Sequence, residues 1–215
     1  TGNTTATDHS AMDAVPDVHD RITEAYFGQM GDELGRSSRE RIHWICSHAT
    51  GARVLDVGCS QGISAILLGR EGKIVTGVDV ARRSIDQARD FLAQESLRIR
   101  ENVSFVCGDF LSLDAASEPF DTVILGEVLE HLTHPEAFVR AAAERLTEGG
   151  RLIVTVPYGV NDFPDHKQTF YLAEPWRLIS KRFSVEEVEF FGKWIGFVGR
   201  KRPATEDTPG ELVQA

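Results

Sequence analysis

Glu127, Glu130 and His131 stand close together in the chain, and His166 follows in a later polar stretch. On a helix the spacings i, i+3 and i+4 bring side chains to one side, so the first three are expected to face one another. Histidine titrates near neutrality and can take the proton of a hydroxyl as a bond forms at its oxygen. Further acids, Asp56, Asp79 and Asp109, each fall at or near the end of a short apolar run. A row of strands that end on polar groups carries those groups into one crevice. The chemistry within reach is capture of a polar ligand by carboxylates, with histidines able to move a proton.

The elements that must position these residues begin with Arg53 to Asp79. Val54-Leu55-Asp56-Val57 is short, apolar and rich in β-branched residues, which reads as a buried parallel strand. A turn, Gly58-Cys59-Ser60-Gln61-Gly62, follows at once, then Ile63, Ile66, Leu67 and Leu68 at helical spacing, then a second strand from Lys73 to Val78. Strand, glycine loop, helix, strand and acid form a βαβ nucleotide-binding unit, with Asp79 placed to take both hydroxyls of an adenosine ribose. A dinucleotide loop needs G-x-G-x-x-G so that the backbone can approach a pyrophosphate. Here Cys59, Ser60 and Gln61 stand where further glycines belong, and Asp56 would repel a pyrophosphate while suiting an ammonium group. Adenosine at one end and an amino acid at the other describe S-adenosylmethionine (SAM).

On these residues the chain resembles the class I SAM-dependent methyltransferases, VLDVGCSQG being similar to their first motif. The resemblance runs from about Arg53 to Lys201. It implies a Rossmann-like α/β fold: a mostly parallel seven-stranded sheet with a final antiparallel hairpin and helices on both faces. It also implies a cofactor set of Asp56, Gly58, Cys59, Ser60, Gly62, Asp79, Val80, Asp109, Phe110, Gly126 and Glu127. Within that set Asp109 would bond the adenine amino group, Phe110 would stack on the base, and Gly126 with Glu127 would pass the methionine end. E-x-L-E-H-L at Glu127 to Leu132 resembles small-molecule methyltransferases in which the histidine matching His131 is the general base. Asp165-His166, with Phe170, resembles a string found in sugar, polysaccharide and quinone pathways, bringing His166 and a supporting Asp165 or Asp162 to the acceptor.

The same E-x-x-E-H with a later histidine also resembles the small-RNA 3′-terminal 2′-O-methyltransferases, where these residues bind a divalent metal. A net charge of −10 argues against a phosphate backbone or an anionic membrane as a general partner. Metal use is therefore the less favoured expectation, although the donor types could support it. Nor does any run approach the length of a membrane span. The cysteines, Cys46, Cys59 and Cys107, are far apart without metal-type spacing, which fits a reducing cytoplasm. Cys59 reads as a small residue filling a tight loop.

Residues 1–17 read as a flexible leader, 18–202 as the methyltransferase domain, and 203–215 as a tail or linker to a further module. Helices are expected from Val18 to Met30 and from about Ser37 to Ala49, with Tyr26 and Arg36 as possible site residues. Others follow from about Arg82 to Leu97 and from Pro135 to Leu146, and His134 reads as a helix-start residue. Strands are expected at Asn102–Cys107, Phe120–Leu125, Arg151–Val156, and in a hairpin from Phe183 to Lys201 around Gly192. Between them, 158–182 is the substrate lid, with Phe163, Tyr171 and Trp176 as stacking surfaces. The expected activity is O-methylation of a sugar or small secondary metabolite. The alternatives are the metal-assisted RNA or vicinal-diol reaction, an NAD-dependent oxidoreductase, and a non-catalytic SAM binder. A homodimer is also compatible with the chain.

Overall fold

The computed structural model describes residues 21–113, 118–160 and 165–203. The expected leader, the first helix before Arg21, Asp162, Phe163 and the tail from 204 onward lie outside the described residues.

Seven strands form one sheet in the order β3-β2-β1-β4-β5-β7-β6. They are β1 (Arg53–Val57), β2 (Ile74–Asp79), β3 (Val103–Cys107), β4 (Phe120–Gly126), β5 (Leu146–Pro157), β6 (Phe183–Phe191) and β7 (Trp194–Lys201). Strands β1 to β5 pair in parallel, and β7 lies antiparallel between β5 and β6. The expected sheet and its closing hairpin are therefore present. Side-chain alternation explains the two-sided core. Leu55, Val57, Leu125, Leu152 and Val154 pack on one face, while Val54, Val75, Ile124 and Ile153 pack on the other. Each fully buried Leu or Ile contributes about 1.5–3 kcal/mol.

Helices α2 (Asp32–His48), α3 (Ile63–Arg70) and α4 (Arg82–Ala93) cover the second face, with the short α1 (Ile22–Tyr26) beside α2. Helices α6 (Pro135–Arg145) and α7 (Ala173–Ser180) cover the first. The expected helix to Leu97 ends instead at Ala93, and α5 (Leu97–Asn102) is separate. Helix α2 starts earlier than the glycines Gly31 and Gly35 suggested. Gly35 lies inside it because the helix packs tightly there: a Cβ at Gly35 would lie 2.9 Å from Gly28 Cα. The expected start, Ser37, lies inside the helix, its hydroxyl donating back to the Glu33 and Leu34 carbonyls. Strand β5 also begins earlier than expected, at Leu146, with Gly149 at φ +71° and a register shift against β4 absorbing the glycine pair. Among the described residues no helix is long and apolar enough to cross a membrane.

Candidate active site

The carboxyl ends of β1, β2 and β4 converge on the glycine loop. Gly58 N and Cys59 N both donate to the Val78 carbonyl, at 2.8 and 3.1 Å, which folds the loop over β2. Gly62 then starts α3 at φ +78°, and a Cβ there would lie 2.4 Å from Phe105 Cζ, so no side chain fits. Ser60 takes φ +47° and donates its N–H to Asp79 Oδ2 at 2.9 Å. Ala81 N reaches Asp79 Oδ1 at 2.8 Å. These bonds fix the Asp79 carboxylate and leave it acceptor capacity for ribose hydroxyls. Val80, beside it, is 58% exposed.

Asp56 is buried in the loop's base, and its Oδ2 has no hydrogen-bond partner among the described residues. Burial, reinforced by the Asp79 charge, pushes its carboxyl up to about 7. An orphaned buried carboxylate is costly unless a ligand completes it, and an ammonium group does so with opposite charge. Cys59 is buried too, and its thiol is held well above the ordinary range by that burial, as befits a space-filling residue.

Asp109 accepts from Leu111 N at 3.0 Å and Ser112 Oγ at 2.9 Å, capping a short 3₁₀ turn at Phe110–Ser112. Phe110 departs from expectation. It is 2% exposed, with its ring against Phe138 and under the Arg145 guanidinium. It belongs to the core and offers no stacking face to a base; the apolar surface beside Asp109 is Leu111, 42% exposed.

The segment after β4 is not the expected α-helix. Gly126 leads into Glu127 at φ +57°, and only a 3₁₀ turn, Leu129–His131, follows. A non-glycine residue held there costs of order 1–3 kcal/mol. The loop and this turn touch: a Cβ at Gly58 would lie 2.5 Å from Val128 Cγ2. Three of the four expected residues come together all the same, without Glu127. Ligand atoms of Glu130, His131 and His166 lie within 4.8 Å of one another, and the two imidazole rings are 4.9 Å apart, nearly perpendicular. His166 is brought in by its own strand of lid, because Lys167 N and Gln168 N both donate to the Glu130 carbonyl. Burial, with His131 beside it, lowers the His166 pKa against the pull of Asp165. Glu130 is 1% exposed, with neither carboxylate oxygen hydrogen-bonded among the described residues. Burial first, and the Glu127 charge second, hold it well above the usual carboxylate range.

Glu127 is anchored by residues the sequence reading passed over. Arg41 Nη1 lies 2.9 Å from Oε2, and Trp194 Nε1 donates to that same oxygen at 2.5 Å. Arg36, the arginine singled out in the sequence, is exposed, and Tyr26 hydrogen-bonds His43. One signal could have found Arg41: it shares the buried face of α2 with Ser38, Ile42 and Ile45. Gln61 was likewise missed; it is 1% exposed and accepts the Thr23 N–H, tying α1 to the loop. His134 does start α6, as expected. Tyr171 and Trp176 are exposed, with Tyr171 edge-on to Tyr158.

A methyltransferase-domain family matches residues 55–154, from β1 through β5. Residues 55–154 are a class I SAM-dependent methyltransferase domain. The chain is 35% identical over 114 residues to a ubiquinone biosynthesis O-methyltransferase of Coxiella burnetii (strain Dugway 5J108-111), a match covering 52% of this chain and 47% of that protein. The chain thus spans about half the length of the curated relatives it matches. Its fold resembles magnesium protoporphyrin IX methyltransferase from Synechocystis PCC 6803, solved with bound S-adenosylhomocysteine, at TM-score 0.66 and 19% identity over 84% of this chain and 99% of that one. It also resembles the [4+2]-cyclase SpnF at TM-score 0.68 and 17% identity, over 77% and 82% of the two chains.

Proposed function

We propose that the methyltransferase moves the methyl group of SAM to a ring hydroxyl of a small acceptor, with His131 and His166 handling the proton. The observation that carries this reading is the convergence of His131 and His166 on Glu130, in a turn that touches the cofactor loop. SAM would lie with its ammonium on Asp56, its ribose on Asp79 and its adenine along Asp109 and Leu111. In the displacement, the acceptor oxygen bonds the methyl carbon as the carbon–sulfur bond breaks, the electron pair stays on sulfur, and an imidazole takes the hydroxyl proton. The sulfonium is already activated, so alignment and exclusion of water do most of the work. A lowered pKa keeps His166 neutral and able to accept that proton.

A sugar remains one acceptor class. The names of the relatives add a second, the hydroxylated ring of a quinone precursor, and the exposed rings of Tyr158 and Tyr171 suit either. The free thiols of Cys46, Cys59 and Cys107 support a cytoplasmic setting. His131→Ala and His166→Ala are expected to lower turnover at least tenfold while S-adenosylhomocysteine affinity stays within twofold. Unchanged turnover in both, measured with labelled SAM, removes the histidines from the mechanism.

A second reading follows from Glu130, whose two unpartnered oxygens stand with two imidazoles. One carboxylate and two histidines fit a borderline divalent ion. Glu130, His131 and His166 would hold it, and such an ion would lower the pKa of an acceptor hydroxyl. Equal turnover with and without EDTA decides for the metal-free reading. The acidic balance still weighs against an RNA end as acceptor.

A further inference from the structure

Three distant parts of the chain meet at Glu127. Arg41 comes from α2, Trp194 opens β7, and Glu127 stands past the end of β4. The Arg41 guanidinium also lies over the Trp194 indole, 4.9 Å from its centroid, so each member of the trio touches the other two. Both donors go to one oxygen, Oε2. The other, Oε1, is buried and makes no hydrogen bond of good geometry among the described residues, although the Thr155 hydroxyl stands near the carboxylate. An ion pair built for stability alone would use the arginine fork on both oxygens. This one fixes the carboxylate through Oε2 and leaves Oε1 buried without a well-formed bond of its own. Its backbone is held as well, by Glu127 N donating to the Thr155 carbonyl at 2.9 Å. The charged groups facing it are Arg41, Glu130 and His131. Asp56 already supplies the carboxylate that a cofactor ammonium needs, so Oε1 of Glu127 falls to the acceptor.

We propose that Arg41 and Trp194 are positioning residues of the acceptor site, holding Glu127 so that its second oxygen takes a hydrogen bond from the methyl acceptor. The inference deepens the methyl-transfer reading and rests on it.

The test uses the full chain, Arg41→Met, Arg41→Lys, Trp194→Phe and Glu127→Gln, with 3,4-dihydroxybenzoate and methyl α-glucoside as acceptor probes. The Trp194 indole N–H signal, assigned by its loss in Trp194→Phe, is followed by NMR. In the wild type saturated with S-adenosylhomocysteine, one of the probes is expected to move that signal, and in Glu127→Gln neither does. Arg41→Met and Trp194→Phe should hold S-adenosylhomocysteine affinity within twofold while kcat/KM for that probe falls tenfold or more, chiefly through KM. Arg41→Lys should recover part of the loss. An indole signal that neither probe moves overturns the proposal, as do variants that lose thermal stability but keep KM and kcat within twofold. A loss of S-adenosylhomocysteine affinity that parallels the loss of kcat/KM overturns it too, by making the trio part of the cofactor site. Failure of the underlying reading is visible without any variant, as a wild type that binds no S-adenosylhomocysteine.

Discussion

Asp56 carries the sharpest consequence for pH. Its carboxyl titrates at about 7 in the folded chain, against an ordinary 3.8. Between those values the folded state holds a proton the unfolded state lacks, so unliganded stability declines as pH rises from about 4 to about 7. Ligand binding has the opposite dependence, because an ammonium pairs only with the ionised acid. Affinity for S-adenosylhomocysteine is expected to be roughly tenfold weaker at pH 6 than at pH 8, measured by calorimetry. Asp56→Asn should weaken binding and flatten that dependence; an Asp56→Asn profile as steep as the wild type's rules this carboxylate out. Phe110 shows a different relation between residue and site. Its position after Asp109 is that of a base-stacking residue, but its ring is enclosed by Phe138 and Arg145.

Among the elements, the lid and the turn after β4 depend on each other. Lys167 N and Gln168 N both bond the Glu130 carbonyl, at 2.8 and 3.1 Å, and this pairing sets His166 beside His131. Lys167→Pro removes one donor and should raise acceptor KM several-fold with S-adenosylhomocysteine affinity unchanged. Steady-state kinetics beside calorimetry check it, and an unchanged KM means the tether does not position His166. Strands β1 to β5 were legible in the sequence because each carries a short apolar run ending at a glycine, a proline or an acid, the form of parallel strands buried on both faces. The turn was not. Glu127, Glu130 and His131 have helical spacing, but the left-handed backbone at Glu127 stops a helix before it starts. The cluster survives because a 3₁₀ turn also gathers neighbours. Arg41 was obscure for another reason: its partner lies far along the chain, and local pattern carries no trace of such a pair. Gly35 misled as well, since close packing on Gly28 and a loop both call for the same residue.

For the molecule as a whole, the fold narrows the function less than the site does. The same architecture is shared with a [4+2]-cyclase and with methyltransferases, so a fold of this kind is a scaffold for several chemistries. Cofactor choice is the property to measure first. S-adenosylhomocysteine at a hundredfold excess over its Kd should stabilise the chain by about 2.7 kcal/mol, seen as a rise in melting temperature, whereas NAD should produce no shift. A rise with NAD alone would favour the oxidoreductase.

The strand order has one last implication, for biosynthesis. β7 is the last strand among the described residues yet sits inside the sheet, between β5 and β6, and it carries Ile195, Phe197 and Val198 into both cores. While the ribosome is still adding these residues, β5 presents a bare edge and β6 has no neighbour to pair with. Closure of the sheet on this side therefore waits for the segment to Lys201 to be made.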